Sequence, residues 1–532
     1  MFRFFFFLVA STLLLACQPN TADQQEVDQP MIKTSSLAYD EPHRPQYHFT
    51  PPTQWMNDPN GMVYYEGEYH LFYQHYPDNN VWGPMHWGHA VSEDLVNWQH
   101  LPIALYPDSL GYIFSGSAVI DWNNSSGLAP EGEIPMIAIF TYHDMAGEKS
   151  GANDFQTQGI AYSLDNGRTW TKYEGNPVIP NPGLRDFRDP KVFWHDASES
   201  WVMIFARGDQ VQLYRSPNLI DWTLASEFGV DQASHDGVWE CPDLFPLKVP
   251  GSDIEKWVMI VSLGRGGPNG GSGTMYFIGD FDGTTFTNSN PAETVLWLDY
   301  GTDNYAGVSW SDVPESDGRR LFMGWMSNWH YATVVPTEKW RSAMTIAREL
   351  QLKQTELGLR LASIPLAEQA KLRSDTHQIA AGELDGERML ASDSRLAELL
   401  LEFEYNPAAP PSKLGVRFSN SLGEEYLLGL DLTSYEFFTD RRNAGKTDFS
   451  EHFAKLHKAP RMRSSNTLDL HIYLDHSSIE FFADGHEIVF TDIFFPNEPF
   501  SEIQAFSEGG KTTLTAGIIH PLKKMQITQI AH

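Results

Sequence analysis

The sequence predicts an all-β protein in which a five-bladed β-propeller is followed by a C-terminal β-sandwich. Three observations support this fold class. Helical periodicity is scarce, one strand-rich plan recurs five times up to about residue 350, and a different, denser set of strand patterns follows. A supersecondary unit repeated at this length is typical of propellers and solenoids.

Each repeat opens on a small polar motif, continues into two apolar strands, and in several cases closes on a Ser-Asp/Asn-Trp phrase such as SEDLVNW or SPNLIDW. The five openings are Asn57-Asp58-Pro59, Ser115-Gly116-Ser117, Arg188-Asp189-Pro190, Glu240-Cys241-Pro242 and Ala306-Gly307-Val308. We therefore predict five four-stranded blades over residues 45–350.

The plan of the chain changes near residue 350. Residues 351–372 lack the repeat and include a short helical pattern, which predicts a linker. Residues 373–532 hold alternating strand patterns, with Asp484-Gly485 as a hairpin signal between two of them. This strand density favours a β-sandwich.

The N-terminus predicts export. Residues 1–16 carry one positive charge and an apolar run typical of a secretory signal, and LLAC ending at Cys17 resembles a bacterial lipobox. Lipidation of Cys17 would anchor the protein to a membrane, and Gln18 rather than Asp after it favours the outer membrane. Residues 17–44 are polar and predict a flexible tether. A plain signal peptide with a coincidental cysteine is the alternative.

Composition excludes some classes of partner. The 37 basic and 69 acidic residues give a formal net charge of −32, which would repel nucleic acid and anionic lipid surfaces. A lipid anchor is then the one predicted contact with a membrane. Aromatic residues make up 13% of the chain and offer flat faces on which sugar rings can pack.

Three carboxylates stand at the openings of separate repeats: Asp58, Asp189 and Glu240. The innermost strands of a propeller surround one axis, so corresponding positions on different blades converge. Neighbouring carboxylates in a desolvated pocket cannot all ionise easily, so an acid and a base can coexist at neutral pH. Glycoside hydrolysis needs this arrangement.

Several ordered motifs carry a resemblance to a known family. They are WMNDPNG (55–61), FYQ (72–74), WGPMHWGHA (82–90), FSGSA (114–118), FRDPKV (187–192), WECPDLF (239–245), SNWHYA (327–332) and WRSAM (340–344). With these motifs the chain resembles glycoside hydrolase family 32, and within it the fructan β-fructosidases, from about Tyr47 to the C-terminus. The WMNDPNG form looks like that of the exo-acting members.

The resemblance implies the same two-domain fold and a role for each carboxylate. Asp58 would be the nucleophile, Glu240 the general acid/base and Asp189 the transition-state stabiliser. The implied substrate-binding residues are Trp55, Met56, Asn57, Gln74, Trp82, Phe114, Ser115, Arg188 and Trp329, with Trp325 an alternative to Trp329.

The expected function is retaining hydrolysis that releases terminal β-D-fructose from levan, inulin or both, and from sucrose, with no metal or organic cofactor. His86 and His89 lack the accompanying ligand pattern of a metal site. Two alternatives stay open: a surface lipoprotein that binds fructan without cutting it, and a fructosyltransferase, which shares the covalent intermediate.

Overall fold

The computed structural model describes Met1 and residues 34–530. The predicted signal peptide, Cys17 and most of the predicted tether lie outside these residues. In the described part, the one α-helix is α1, Met145–Ser150, and short 3-10 segments occur at Asp196–Ser198 and Ala367–Leu372. The predicted all-β class is confirmed.

The N-terminal strands are β1 Thr34–Ser36, β2 Gln54–Tyr65, β3 Glu68–Tyr76, β4 His86–Ser92, β5 Trp98–Leu105, β6 Tyr112–Ile120, β7 Met136–His143, β8 Gln156–Ser163, β9 Thr171–Lys172, β10 Phe187–His195, β11 Ser200–Arg207, β12 Gln210–Ser216, β13 Thr223–Phe228, β14 Trp239–Lys248, β15 Glu255–Leu263, β16 Gly273–Phe281, β17 Phe286–Asn288, β18 Leu296–Trp297, β19 Tyr305–Ser309, β20 Arg320–Met326, β21 Trp340–Arg341, β22 Ala343–Met344, β23 Arg348–Thr355 and β24 Gly358–Pro365. The C-terminal strands are β25 His377–Gln378, β26 Gly382–Ala391, β27 Ala397–Tyr405, β28 Lys413–Ser419, β29 Glu425–Asp431, β30 Glu436–Asn443, β31 Leu456–Pro460, β32 Thr467–Leu474, β33 Ser478–Ala483, β34 Ile488–Ile493, β35 Glu502–Pro521 and β36 Ile527–Ile530.

Four sheets are independent propeller blades. Their strand orders are β6-β7-β8-β9, β10-β11-β12-β13, β14-β15-β16-β17 with β18 also on β16, and β19-β20-β23-β24 with β22 also on β20. Most of these strands are connected by short turns and pair antiparallel, which is the usual construction of a blade.

Strands β2 to β5 do not form a separate four-stranded sheet. They belong to a seven-stranded sheet of order β1-β36-β5-β4-β3-β2-β21, in which both ends of the described chain take part. The prediction of five separate four-stranded blades is therefore wrong: four blades are independent. The added strands pair with β5 on one side and with β2 on the other. They thereby cover the two edges that β2 to β5 would otherwise expose, which removes exposed backbone hydrogen-bonding groups.

Two predicted segment boundaries also change. The later part of the predicted tether is packed on the protein: β1 pairs with β36, and Tyr39 and Arg44 are buried. The predicted linker 351–372 contains most of β23 and all of β24, which are the outer strands of a blade. These two strands lack the opening and closing phrases of the repeat, so the sequence pattern does not mark them as part of a blade.

The C-terminal domain is a sandwich-like arrangement of one continuous eleven-stranded sheet. Its long strand β35 pairs with β28 through residues 502–508 and with β27 through residues 512–521, so the sheet folds over on itself. Buried aromatic and aliphatic side chains fill the space between the layers. The hairpin predicted at Asp484-Gly485 is confirmed between β33 and β34, and both residues have positive φ.

Buried charges join the sandwich to the propeller. His48 lies between Asp475, with Nδ1 2.8 Å from Oδ2, and Glu480, with Nε2 3.0 Å from Oε1. Arg348 of β23 donates to Glu480 and lies 3.3 Å from Asp299 Oδ2. Every one of these side chains is almost fully buried. No helix in the described part of the chain has the length and apolar character to cross a membrane.

Candidate active site

The first strands of the five N-terminal sheets surround one axis. Strand β2 lies beside β6, β6 beside β10, β10 beside β14, β14 beside β19, and β19 beside β2. All five sequence openings fall on these strands. The predicted convergence of the openings is confirmed.

Each of the five strands has a break in register at its opening. The breaks lie between Met56 and Pro59, Ile113 and Gly116, Arg188 and Lys191, Glu240 and Asp243, and Tyr305 and Val308. The bulged residues Asp189, Cys241 and Ala306 have positive φ values of 65°, 45° and 53°. A bulge turns side chains out of the regular alternation, and here it turns those of the openings toward the common axis.

Asp58 is buried and held by two side-chain donors. Ser115 Oγ donates to its Oδ2 at 2.6 Å, and Asn57 Nδ2 donates to its Oδ1 at 2.9 Å. Asn60 Nδ2 donates to the backbone carbonyl of Asp58 at 2.8 Å. These contacts orient the carboxylate and leave it acting as an acceptor.

Asp189 is the second buried carboxylate. Its Oδ2 accepts from the backbone N–H of Cys241 at 3.0 Å, and its own N–H donates to Thr141 Oγ1 at 3.0 Å. Burial raises the pKa of Asp189 to about 7, with the charges of Glu240 and Asp58 adding to the rise and Arg188 opposing it.

Glu240 differs from the other two because its side chain is about one-fifth exposed, at 22%. Arg188 Nη2 donates to its Oε1 at 2.8 Å, and the Tyr305 hydroxyl donates to its Oε2. Burial raises the pKa of Glu240 and the charge of Asp58 raises it further, although Arg188 acts in the opposite direction. A carboxyl group that keeps its proton and remains accessible is suited to act as a general acid.

Arg188 connects the acidic groups. It donates to Asp186 Oδ1 at 2.7 Å as well as to Glu240, and its Nε lies 3.7 Å from Asp189 Oδ2. Burial alone would lower the pKa of Arg188, but the surrounding carboxylates raise it overall, so the guanidinium stays charged.

The Cys241 thiol lies between two of the carboxylates, 3.5 Å from Asp58 Oδ2 and 3.7 Å from Asp189 Oδ2. Burial and the nearby carboxylates raise the pKa of this thiol well above its ordinary value. A neutral thiol in this place packs against the acids and is a weak donor.

Two pairs of aromatic side chains include predicted substrate-binding residues. Trp329 stacks on Trp55 with ring centroids 6.0 Å apart and an interplanar angle of 28°, and Trp82 meets Phe114 edge-on at 6.0 Å. Trp329 is partly exposed whereas Trp325 is fully buried, so of these two indoles Trp329 is the one that solvent can reach.

The remaining predicted residues lie deeper. Gln74 Nε2 donates to Asn60 Oδ1 at 2.8 Å and to the carbonyl of Ile113 at 3.0 Å, which places it behind Asp58. Trp55 is fully buried and its Nε1 donates to Asn57 Oδ1 at 2.7 Å. Met56 is fully buried in the adjoining hydrophobic core.

Sequence reasoning missed Tyr305. It directly precedes the bulged residue of β19, as Arg188 and Glu240 precede the bulged residues of β10 and β14. These three side chains form one hydrogen-bonded row. The sequence shows the Ala306-Gly307 opening. The position of Tyr305 directly before that opening is the signal that could have identified the tyrosine.

Two family models match nearly the whole described chain. The model "Glycosyl hydrolases family 32 N-terminal domain" matches residues 48–363, and "Glycosyl hydrolases family 32 C terminal" matches residues 367–523. The chain belongs to glycoside hydrolase family 32. The two family 32 matches meet next to the end of β24, where the structure also passes from propeller to sandwich.

Curated members of family 32 are similar over most of this chain. A levanase of Bacillus subtilis (strain 168) is 50% identical over 92% of this chain and 72% of its own length. A levanase of Bacillus sp. (strain L7) is 41% identical over 91% of this chain, which spans only 53% of that protein. The extracellular exo-inulinase inuE of Aspergillus niger is 40% identical over 89% of this chain and 93% of its own length.

Solved structures of family 32 members share the fold. The exo-inulinase of Aspergillus awamori superposes with a TM-score of 0.84 at 36% identity, covering 92% of this chain and 100% of that chain. A β-fructofuranosidase of Schwanniomyces occidentalis, complexed with fructosyl-erythritol, has a TM-score of 0.81 at 31% identity and covers 92% and 99% of the two chains. Membership of family 32 makes the protein a glycosidase, and the alternative of a non-catalytic binding lipoprotein is not supported.

Proposed function

We propose that the protein is a retaining β-fructosidase that releases single terminal β-D-fructose units from fructans and cleaves sucrose. The observation that carries this proposal is the meeting of Asp58, Asp189 and Glu240 from three sheets, with Arg188 joining two of them. The names of the relatives, levanase and exo-inulinase, support the substrate class.

In the proposed mechanism, Asp58 attacks the anomeric carbon of the terminal fructosyl unit. Glu240 gives its proton to the departing glycosidic oxygen as that bond breaks, and a fructosyl ester forms on Asp58. Glu240, now ionised, takes a proton from water, whose oxygen attacks the anomeric carbon and frees the aspartate. Two inversions give fructose with retained configuration.

The other polar side chains would hold the fructosyl ring. Asp189 is the bulged residue of β10 and Arg188 directly precedes it, so the two side chains could accept from and donate to ring hydroxyls. Ser115 and Asn57 keep Asp58 oriented for attack. Trp82, Phe114 and Trp329 would form the apolar rim of this subsite, with Trp55, Met56 and Gln74 supporting it from behind.

We further infer that strands β2 to β5 serve as a fifth blade although they belong to a larger sheet. Strand β2 occupies a position in the ring of inner strands between β19 and β6, and it carries the proposed nucleophile. The strands added at the edges of its sheet would then act as the closure that holds the ring together.

The test is early-time chromatography of levan, inulin and sucrose digests, with NMR of the first-formed fructose anomer. Free β-fructose should dominate from the outset. Oligosaccharides that appear early would contradict removal of single units from chain ends, and α-fructose formed first would contradict direct attack by Asp58. Products longer than the substrate at high sucrose would favour the fructosyltransferase alternative.

Cys17 lies outside the described residues, and lipid anchoring stays a proposal that rests on the LLAC motif. We expect Cys17→Ser to move the protein from the membrane fraction to the soluble fraction. Membrane association unchanged by that substitution would contradict the anchor.

A further inference from the structure

A cavity of about 720 Å³ lies at the opposite end of the inner strands from the three carboxylates. Residues at or near the far ends of these strands line it, including Ile120 of β6, His195 of β10 and Phe245 of β14. The residues of the candidate active site stand at the beginnings of the same strands. The cavity therefore extends from below the site toward the other face of the propeller.

The separation can be placed from the strand geometry. The cavity extends along β10 from Lys191, two residues beyond Asp189, to His195, six residues beyond it, and at roughly 3.3 Å per residue these lie about 7 Å and about 20 Å from Asp189. A fructosyl unit bound at Asp58 would not reach the far end, where His195 lies. A ligand bound at the far end of the cavity would therefore be separate from the reacting sugar.

Two exposed tryptophans line the cavity. Trp122 is 56% exposed and Trp194 is 40% exposed, which is unusual for such large apolar side chains. Both are fixed in place: Trp122 Nε1 donates to Asp312 Oδ1 at 2.9 Å, and Trp194 packs edge-on against Trp201 with centroids 5.3 Å apart. Rigid indoles offer apolar faces at little cost in conformational entropy.

The deeper wall of the cavity offers hydrogen-bond donors. Arg320 lies over the ring of Phe245 at 5.0 Å, and the one hydrogen bond that the described structure gives its guanidinium is a 3.4 Å contact with Ser309 Oγ. A guanidinium has five N–H donors, so most of them are free for a ligand or for water. Lys191 is also in this wall, with Nζ 3.5 Å from Asp243 Oδ2.

The outer lining of the cavity is acidic. It includes the exposed residues Asp196, Glu255 and Glu315. This charge disfavours anionic ligands, and so does the formal net charge of −32 of the whole chain. A neutral polyhydroxylated ring suits all three features, because its faces pack on indoles, its hydroxyls donate to carboxylates, and its oxygens accept from Arg320.

We propose that this cavity is a second carbohydrate-binding site, which holds a neutral segment of a fructan chain away from the catalytic pocket. The identity of the sugar rests on the proposed function, but the cavity and its lining do not. Bound there, the polymer would stay near the enzyme between successive cleavages, and short substrates such as sucrose would gain nothing from it.

The test compares binding of polymer with turnover of a small substrate. In affinity electrophoresis through gels containing levan or inulin, Trp122→Ala combined with Trp194→Ala should weaken the apparent affinity for polymer by roughly tenfold, the ratio expected on loss of aromatic contacts. Running the gels in a Glu240→Gln background keeps the polymer intact. The kcat/KM for sucrose, measured with Glu240 present, should be unchanged, which also shows that the double variant folds.

The matched control is Leu422→Ala in the sandwich, because Leu422 is 55% exposed and lies outside the cavity. If levan or inulin in the gel slowed the double variant as much as it slows the control, the proposal of a second site would be overturned. Trp122→Phe should retain part of the retardation, since it keeps an aromatic face. If the wild type failed to cleave fructans or sucrose while its retardation still depended on Trp122, the proposed function would fail and the second site would stand.

Discussion

At the scale of single residues, the two carboxylates proposed as nucleophile and general acid differ in what contacts them. Asp58 receives hydrogen bonds from Ser115 and Asn57 and is nearly buried. Glu240 is more exposed, and burial with the charge of Asp58 raises its pKa. The environment of Glu240 thus favours its protonated form, which suits the proposed role of general acid.

Substitution of each acid should affect a different step. Glu240→Gln should slow fructan hydrolysis roughly 10²–10⁴-fold because no proton reaches the leaving oxygen. With an aryl fructoside, whose leaving group needs little protonation, this variant should still release one equivalent of phenol in a burst, whereas Asp58→Asn should release none. Stopped-flow absorbance measures the burst.

Thermal unfolding serves as the control for both variants, since each swap preserves shape and should leave the fold intact. Equal loss of the first step in the two proteins would contradict the assignment of nucleophile and acid.

Tyr305 should set the pH range of activity. Its hydroxyl donates to Glu240 Oε2, which favours the ionised carboxylate, so Tyr305→Phe should raise the pKa of Glu240. In the proposed mechanism activity needs protonated Glu240, so it should be lost as pH rises through that pKa. The alkaline limb of kcat/KM against pH should therefore move to higher pH in the variant.

Tyr276→Phe is the matched control, because Tyr276 is also a buried tyrosine but its hydroxyl accepts from the N–H of Leu361, away from the acids. Its pH profile should equal that of the wild type. An alkaline limb that stayed in place or moved to lower pH in Tyr305→Phe would refute the role of Tyr305.

At the scale of elements, the segment between β20 and β21 depends on the sandwich. This segment carries Trp329, and its Tyr331 hydroxyl donates to Asp303 Oδ1 at 2.7 Å and accepts from Arg441 Nη2 at 2.9 Å. Arg441 belongs to β30 of the sandwich and also donates to Asp303 at 2.6 Å. The C-terminal domain thus supports part of the rim of the candidate active site.

Loss of the Tyr331 hydroxyl should weaken both stability and substrate binding. In Tyr331→Phe, buried polar groups of Asp303 and Arg441 lose a partner, which should lower the free energy of unfolding by about 1–3 kcal/mol. Because the segment also carries Trp329, KM should rise more than kcat falls. Urea denaturation and steady-state kinetics measure the two effects.

Tyr426→Phe is the comparison, since Tyr426 donates to Asp492 Oδ2 at 2.7 Å wholly within the sandwich. It should destabilise the protein similarly and leave KM unchanged. The same KM in both variants would show that the Tyr331 contacts do not act on the site.

At the scale of the whole molecule, buried charges connect the two domains. Burial alone would lower the pKa of His48, but its hydrogen bonds with Asp475 and Glu480 outweigh burial and raise the pKa from 6.5 to about 9. The protonated imidazole therefore contributes stability by pairing with acids of the other domain.

The sign of the pH dependence follows from this rise. The contribution is complete below pH 6.5, the ordinary pKa of the group, and is lost as pH rises toward and through about 9. Relative to His48→Gln, the wild type should lose on the order of 3 kcal/mol of unfolding free energy across that range. Urea unfolding of both proteins at several pH values measures the difference, and parallel profiles would contradict the paired, protonated state.

Part of the fold could be read directly from local patterns. The recurring openings predicted the inner strands, and the Asp484-Gly485 pair predicted its hairpin. The edges of sheets could not be read in this way: β36 pairs with β5 although they lie at opposite ends of the chain, and no local pattern marks that pairing. Most of β23 and all of β24 fall in the predicted linker rather than in a blade, because they lack the repeated phrases.

The sequence by itself determined the strand-rich class, the repeated openings, and the presence of Asp58, Asp189 and Glu240 at three of them, because such features depend on residue type and short-range spacing. The tertiary structure decided which groups touch: Ser115 reaches Asp58, and Tyr305 reaches Glu240, across different sheets. Those contacts depend on how the inner strands close around the axis and where each bulge lies. Closure is a property of strands distant in sequence, so only the folded chain specifies it.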